Sequence, residues 1–438
     1  MSRTTRYATL FIALTLIAVP RGSLAEEALE LRAAAAVEQV HEQIWKRFVD
    51  PYNVVLDYTD LEGKYLRPTP QDCREHKPSA LSWGVPVEDG PMFNGLYLDG
   101  LINRYHRTKS EADLTKIRRL VDGLLFLASR GNTPGFIARG VADDGKTTYP
   151  MGSNDQTTPW LYGIWRFLHD DIGTPDERAR LKAKFCDVVS ILERNGWRMP
   201  CDGGPSTHRG TFLQPGWEGS PRLLFVLKAM HEFTGDEAWE KKYCEAASAR
   251  GSNDGRSRLE VCRTGLVFDR NQGPRHSWTG SVGVTALRAL WEMETDPVRR
   301  AAYAEGLLHS AQLSAQSLPL IEKFDVNGTE RFESNWRLMN EAWKPQTSEA
   351  ETVAVANAGL RVQHRVSPRL HIEKDYMREP LFAAWVVTLC PDERYVGTQR
   401  DAVLRSLAHY RYDRIHLSQF FPAESAWFRL PQPTADVR

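Results

Sequence analysis

The sequence predicts an all-α protein, an (α/α)6 barrel (a six-hairpin toroid) with long loops at one rim. About twelve segments repeat apolar residues at helical spacing, and long polar loops alternate with short turns between them. Segments rich in small and apolar residues also alternate with strongly amphipathic ones. A helix that is apolar all round is buried, and one with a charged face lies outside. Six inner and six outer helices in alternation therefore form one closed toroid.

The helices follow from periodicity and from breaker residues, taken in chain order. The predicted helices are 27–49, 89–105, 111–129, 160–168, 176–195, 220–233, 237–249, 277–293, 297–318, 347–362, 379–389 and 398–410. Asp50-Pro51 ends the first helix, and Thr234-Gly235-Asp236 is typical of the short turns. The segment after residue 410 is expected to be an extended, aromatic tail.

Long loops lead into six of these helices, which are the predicted inner ones. They begin near residues 89, 155, 219, 277, 347 and 379. The long loops then gather at one end of the barrel, around the N-termini of the inner helices. Long loops on a rigid scaffold carry function, so this rim is the expected site.

The N-terminus predicts export. Arg3 and Arg6 precede an apolar run at 8–19, and Ser23 to Ala25 places small residues at a cleavage position. Residues 1–25 are therefore expected to be a secretory signal peptide, with an uncleaved anchor as the alternative. Residues 26–438 exceed the usual length of one domain. Two or three domains would explain that length, but the repeat favours a single catalytic barrel domain.

Composition excludes several classes of function. Lys plus Arg and Asp plus Glu both number 56, so no nucleic-acid partner is expected, and no membrane partner after signal cleavage. The chain has no HExxH, Walker, Rossmann or GxSxG motif, and we predict no cofactor and no metal. The sequence leaves the oligomeric state open. Its 13 Trp residues suit a sugar-binding cleft, because indole rings stack on pyranose faces.

The six cysteines are scattered and form no metal-binding pattern. Cys186 and Cys390 are predicted to be buried free thiols. Cys201 and Cys262 lie in predicted loops, and export would allow them to pair.

Two carboxylates lie at equivalent junctions between a loop and an inner helix. Asp89 lies at the N-terminal end of the first inner helix, and Asp155 lies at the N-terminal end of the second. We therefore expect the two side chains to face each other across one cleft. The alternative is that each caps its helix. Pro159 argues against a cap at Asp155, because it suggests a helix that starts after Thr158. Two carboxyl groups suit glycoside hydrolysis, and Glu88 is the alternative to Asp89.

Other polar and aromatic residues of the long loops are candidate substrate-binding residues. They offer Arg for a carboxylate, Trp for stacking and His for a hydroxyl group. These candidates are Arg139, His208, Arg209, Trp217, Glu218, Arg222, Arg275, His276 and Trp336.

The chain resembles the (α/α)6-barrel carbohydrate enzymes, in particular the unsaturated glucuronyl and rhamnogalacturonyl hydrolases and related glucuronidases. The resemblance lies in VEDGPMFNGLYLDGL around Asp89, in GSNDQTTPWLYGIW around Asp155, and in TGDEAW at 234–239. Where that family has His-Asp at the second site, this chain has Asn154-Asp155.

The resemblance implies an exported, exo-acting glycoside hydrolase for oligosaccharides that contain uronic acids. Asp155 would act as general acid and later as base, and Asp89 would orient the sugar or stabilise positive charge. Arg139, Arg209, Arg222 or Arg275 would bind a uronate carboxylate.

Three other functions are open to this sequence. A polysaccharide lyase on the same barrel would depend on Tyr149, His208 or His276 as base. An epimerase would use paired histidines, although export argues against it. A glycan-binding protein would bind sugars without turnover.

Overall fold

A computed structural model describes residues 21–251, 254–267 and 277–431, and it is mostly helical, in agreement with the predicted all-α class. Its α-helices are α1 (Arg21–Gln43), α2 (Pro70–Arg74), α3 (Gly90–Thr108), α4 (Glu111–Leu127), α5 (Asn154–His169), α6 (Pro175–Arg194), α7 (Ser220–Thr234), α8 (Glu237–Ser248), α9 (Arg258–Thr264), α10 (Ser277–Met293), α11 (Pro297–Ala315), α12 (Glu349–Val366), α13 (Pro368–Glu373), α14 (Glu379–Thr388), α15 (Glu393–Ala408) and α16 (Pro422–Arg429). The short strands β1 (Arg198–Pro200) and β2 (His208–Thr211) pair antiparallel, with Arg198 opposite Thr211. Ile44–Phe48 and Lys374–Arg378 are π-helical turns, and Leu318–Lys323, Trp336–Ala342 and Tyr412–Arg414 are 3-10 turns.

Six helices contact one another in a ring. In order they are α3, α5, α7, α10, α14 and α16; each contacts the next, and α16 contacts α3. The helices α4, α6, α8, α11 and α15 each pack on the ring helix that precedes them in the chain, and α1 packs on α15 and α16. The ring helix α14 is buried along its whole length, whereas α4 buries one apolar face that includes Leu114, Ile117 and Leu124. Burial therefore follows the predicted alternation of apolar and amphipathic helices.

Two predicted ring positions are wrong. The helix expected from residue 347 is α12, which packs on the turn Trp336–Ala342 and on α13 rather than in the ring. The last ring helix is instead α16, in the segment expected to be extended. Its eight residues are too few to show a helical period, and the burial of Ala423, Ser425 and Ala426 in the ring stabilises it.

The cysteines are all free thiols, so Cys201 and Cys262 do not pair. Cys201 lies in a small apolar cluster with Met151, whereas Cys262 lies in the main core. Both are thus held as buried apolar side chains. Cys390 is buried as predicted, and Cys186 is partly buried.

The N-terminal predictions remain predictions, because residues 1–20 lie outside the described range. The first described helix, α1, begins at Arg21, within the segment expected to be cleaved. Among the described helices, none combines the length and the apolar composition that crossing a bilayer requires.

Glycines allow α3 and α5 to approach closely. A Cβ atom at Gly95 would lie 1.9 Å from the carbonyl oxygen of Pro159, and one at Gly163 would lie 2.7 Å from the Cα atom of Gly95. Any larger residue would push the two backbones apart. The contact matters for the site, because α3 and α5 carry Asp89 and Asp155 at their N-terminal ends.

We expect Gly95→Ala to lower the free energy of unfolding by about 3 kcal/mol, the cost of overpacking a site with no room to relax. Urea denaturation followed by circular dichroism measures the change. Gly397→Ala on α15 is the matched control, because a Cβ atom there meets nothing within 4 Å. This control is expected to be neutral or to stabilise by up to about 1 kcal/mol. Equal stability of Gly95→Ala and the wild-type protein would contradict the close contact.

A buried ionic cluster joins the ring helices further along their length. Asp99 of α3 accepts hydrogen bonds from Arg429 Nε (2.7 Å), Trp385 Nε1 (2.9 Å) and the Tyr162 hydroxyl (2.9 Å). The Nε atom of Arg166 lies 3.4 Å from the same carboxylate. Four ring helices, α3, α5, α14 and α16, therefore meet at one buried charge.

Candidate active site

A cavity of about 560 Å3 lies where the N-terminal ends of α3, α5, α10 and α14 meet. Side chains from these four ends line it, together with side chains of α12 and of the turn Lys374–Arg378. The indoles of Trp83 and Trp278 contribute to its wall. Asp89 and Asp155 both line it, so the structure brings the two predicted carboxylates to one cavity.

Asp89 precedes α3, but its side chain does not cap the helix. Its Oδ1 atom accepts hydrogen bonds from Gln156 Nε2 at 2.6 Å and from Arg139 Nη1 at 3.3 Å. The backbone N–H of Asp89 donates to Oδ2 of Asp57 at 3.0 Å. The capping interpretation therefore fails for Asp89, whose carboxylate is held toward α5 instead.

Three carboxyl groups form an acidic cluster, defined by Asp57, Glu88 and Asp89. One oxygen from each lies within 4.8 Å of the other two. Glu88 Oε2 accepts the N–H of Gly84 at 2.6 Å. Asp57 comes from the long polar segment that precedes α3, and its own backbone is held by hydrogen bonds to Pro86 and Ser418.

The acidic cluster retains protons near neutral pH. Burial, reinforced by the charge of Asp89 and opposed by Arg139, raises the pKa of Glu88 to about 8. Burial and the charges of Asp89 and Glu88 hold the pKa of Asp57 well above its usual range. Burial also raises the pKa of Asp89, although Arg139 and Gln156 oppose the shift. The cluster titrates as a unit, and it can donate a proton to a bound molecule.

Asp155 lies in a different environment. It belongs to the first turn of α5, and Ser153 rather than Asp155 caps that helix, with Ser153 Oγ accepting the Asp155 N–H at 3.1 Å. Its Oδ1 atom lies 3.0 Å from Nη2 of Arg222, and its side chain is 38% exposed. Asp155 is therefore an ion-paired carboxylate that faces the cavity.

The expected start of α5 after Thr158 is wrong, because the helix begins at Asn154 and Pro159 lies inside it. A proline there removes one backbone hydrogen bond. The burial of α5 from Gln156 to Phe167 outweighs that loss.

The cavity also carries positive charge. Arg139, Arg209, Lys374 and Arg378 line it. Arg139 contacts Asp89, and the Nε atom of Arg209 lies 3.5 Å from Glu349. Arginines beside a sugar-sized cavity suit the recognition of a carboxylate.

The remaining predicted residues lie elsewhere. Arg222 does not line the cavity, but its buried guanidinium pairs with Asp155 at 3.0 Å and with Glu218 at 3.5 Å. Its Nε and Nη1 atoms lack hydrogen-bond partners among the described residues. Trp217 packs against Gly283 of α10, and Glu218 is exposed. His208 lines a second cavity of about 510 Å3.

Trp336 is buried in a separate apolar cluster and donates its N–H to the Leu66 carbonyl at 2.7 Å. Tyr149, a base in the lyase alternative, is buried in the same cluster and donates its hydroxyl to the Lys77 carbonyl. Arg275 and His276 lie outside the described residues.

Sequence reasoning missed Asp57, Lys374 and Arg378 as cavity residues. Asp57 lies in a segment without periodicity, so no local pattern marks it. Lys374 and Arg378 lie in a stretch expected to be loop, and their four-residue spacing would have indicated a shared face only if a helical turn had been recognised there.

The acidic cluster has the oxygen ligands that a hard cation such as Ca2+ prefers. Its oxygens, however, already accept hydrogen bonds from Arg139, Gln156 and backbone N–H groups. The charge of Lys374 also acts on all three carboxyl groups. Protein donors and cations thus compete with a metal, and the arrangement favours shared protons.

We expect the stability of the protein to fall between about pH 4.3 and pH 8 because of Glu88. Its folded-state pKa of about 8 lies above the unfolded value of about 4.3, so the folded protein keeps a proton that the unfolded chain releases. The contribution is fully present below the unfolded pKa and is lost as the pH rises through the folded pKa. Glu88→Gln is expected to weaken this pH dependence in urea titrations at pH 5 and pH 8.

Glu237→Gln, at an exposed position in the first turn of α8, is the control and should leave the pH dependence unchanged. Equal pH dependence in Glu88→Gln and the wild-type protein would rule out proton retention by Glu88.

Comparison of the chain with models of known protein families and with curated proteins finds no match.

Proposed function

We propose that this chain is an exported glycoside hydrolase with an (α/α)6-barrel fold, acting on oligosaccharides that contain uronic acids. The closed ring of six helices with six further helices packed outside it supports the barrel assignment. The cavity at the N-terminal ends of ring helices supports a site there. Export rests on the signal-peptide pattern of residues 1–25.

One observation carries the proposal: two carboxyl environments of opposite character meet in one cavity. The acidic cluster of Asp57, Glu88 and Asp89 retains protons, and Asp155 is ion-paired with Arg222. Glycoside hydrolysis needs a protonated and an ionised carboxyl group on either side of the scissile bond. The pairing of environments is the usual way in which one site obtains both.

The environments favour specific roles. The acidic cluster donates a proton to the leaving-group oxygen through Glu88 or Asp89. Asp155 accepts a proton from a water molecule that attacks the anomeric carbon, and Arg222 holds the Asp155 carboxylate in place.

The family resemblance instead gives Asp155 both roles, first acid and then base. Sugars with a nitrophenolate leaving group separate the two schemes, because this leaving group needs little protonation.

The first test is a screen of the mature protein on uronic-acid oligosaccharides, both saturated and 4,5-unsaturated. Sugar release and ultraviolet absorbance are recorded together. Loss of existing absorbance indicates an unsaturated uronide hydrolase, and release without an absorbance change indicates an ordinary glycosidase. A gain in absorbance indicates a lyase and would overturn the paired-carboxyl scheme. Binding of these sugars without turnover would indicate a glycan-binding protein.

A further inference from the structure

The turn Lys374–Arg378 presents two cations to the cavity. It is π-helical, a conformation that is rare and frequent at functional sites. Lys374 and Arg378 both line the cavity, and Arg378 directly precedes α14. The turn contacts α14, so a packed ring helix holds it in position.

Arg378 is fixed but incompletely neutralised. Its guanidinium carbon lies 4.5 Å from the centre of the Trp278 ring, and its Nη1 atom donates to Gln419 at 3.4 Å. Its Nε atom is buried and has no hydrogen-bond partner among the described residues. Within the described part of the chain, no carboxylate lies within 4 Å of its guanidinium. Burial lowers its pKa to about 10, in spite of nearby acidic residues.

The other two cavity arginines differ from Arg378 in having a carboxylate partner, although their Nε atoms also lack a hydrogen-bond partner among the described residues. Arg139 pairs with Asp89, and Arg209 pairs with Glu349. Lys374 resembles Arg378: it donates to Gln363 at 3.4 Å, and burial followed by the charge of Arg378 lowers its pKa. Two buried cations that lack carboxylate partners among the described residues thus lie side by side.

Two acidic residues lie near Arg378 in the chain, Asp375 and Glu379, and the charges of both favour its protonated form. Glu379 accepts the backbone N–H groups of Ser277 at 2.8 Å and Trp278 at 3.2 Å, at the start of α10. The charges of Asp89 and Glu88 also act on Arg378, but less than those of Glu379 and Asp375. Asp375 also lines the cavity, and its Oδ2 atom lies 3.3 Å from Nε2 of His371. Among the described residues, neither Asp375 nor Glu379 therefore forms a close ion pair with Arg378.

We infer that Arg378, assisted by Lys374, binds the carboxylate of a uronate unit and makes the site selective for acidic sugars. The inference rests on the proposed function and deepens it. A pyranose with its carboxylate on Arg378 can turn its glycosidic oxygen toward the acidic cluster. The cavity volume lies within the range of small-molecule sites. Stacking of Arg378 on Trp278 pre-organises the guanidinium, so little entropy is lost on binding.

The test measures the binding of D-glucuronate and D-glucose by isothermal titration calorimetry, with no turnover required. We expect the wild-type protein to bind D-glucuronate at least about tenfold more tightly than D-glucose, as a charge-assisted contact implies. Arg378→Gln should weaken glucuronate binding by about tenfold or more and change glucose binding less than twofold. Arg378→Lys should recover part of the difference. Arg361→Gln, at an exposed position on the neighbouring α12, makes the same change in charge and should preserve the selectivity.

The outcomes separate this inference from the proposed function. Arg378-dependent glucuronate binding without hydrolysis of any uronide would support the subsite and overturn the hydrolase. Hydrolysis of uronides with unchanged selectivity in Arg378→Gln would support the hydrolase and overturn the subsite, as would equal losses in Arg378→Gln and Arg361→Gln. Circular dichroism checks that each variant is folded, and Lys374→Gln gives a second measurement if Arg378→Gln is not.

Discussion

Asp155→Asn is expected to lower kcat/KM on the uronide substrate by about 10³-fold, within the range of a lost general acid or base. An amide cannot accept a proton from water, and it cannot form an ion pair with Arg222, which lies 3.0 Å from Asp155. The side chain is partly exposed in the first turn of α5, so we expect the variant to fold. Initial rates and thermal unfolding of the purified variant measure both effects.

Asp89→Asn tests the other side of the cavity. It should slow substrates with poor leaving groups by about 10²-fold or more and slow nitrophenyl uronides much less, because only the former need a proton donor. Asp187→Asn, at an exposed position on α6, is the control for a change of charge. Full activity of Asp155→Asn on a confirmed substrate would overturn the assignment of Asp155. Equal losses on both types of leaving group in Asp89→Asn would remove Asp89 as the proton donor and leave Glu88 as the donor of the acidic cluster.

Asp99→Ala is expected to lower the free energy of unfolding by about 3–5 kcal/mol, the typical cost of removing one partner of a buried ion pair. Burial opposes the ionised form of Asp99, but Arg429 outweighs it and lowers the pKa to about 2. Without Asp99, the nearest described carboxylate to the buried Arg429 would be Glu292, at 3.9 Å. Arg166 would keep Asp170 at 2.9 Å and Glu292 at 3.4 Å. Urea unfolding followed by circular dichroism measures the loss.

Two further variants serve as comparisons for Asp99→Ala. Asp99→Asn keeps the side-chain volume and loses the charge, so an intermediate loss is expected. Asp122→Ala removes an exposed ion pair with Arg180 (3.8 Å) and should cost less than about 1 kcal/mol. A loss of less than 1 kcal/mol in Asp99→Ala would show that the ionic cluster does not hold the ring helices together.

The loop-to-helix junctions could be located from the sequence. The helices that begin at Gly90, Ser220, Ser277 and Glu379 were expected close to those residues, because long polar loops and apolar periodicity mark such starts locally. The junction before α5 was expected near residue 155, although the regular helix was expected only after Thr158. The meeting of Asp89 and Asp155 in one cavity follows from the same pattern, since neighbouring ring helices bring their N-terminal ends together.

No pattern in the neighbouring sequence predicts three other features of the structure. The last ring helix, α16, has only eight residues, and its helical state depends on burial against α3 and α14. Asp57 reaches the acidic cluster through a segment without regular structure, where no period predicts the path of the chain. Arg378 becomes a cavity residue because a π-helical turn places it on Trp278, about 100 residues earlier in the sequence.

Local sequence was therefore sufficient for the helical class, for most helix starts and for the two candidate carboxylates. These depend on apolar spacing and on loop composition, which act over a few residues. The tertiary structure decided the protonation of the acidic cluster, the ion pair of Arg222 with Asp155 and the lack of a close carboxylate partner for Arg378 among the described residues. Each depends on burial and on charges from distant parts of the chain, and a pKa or an ion pair responds to distance in space rather than in sequence.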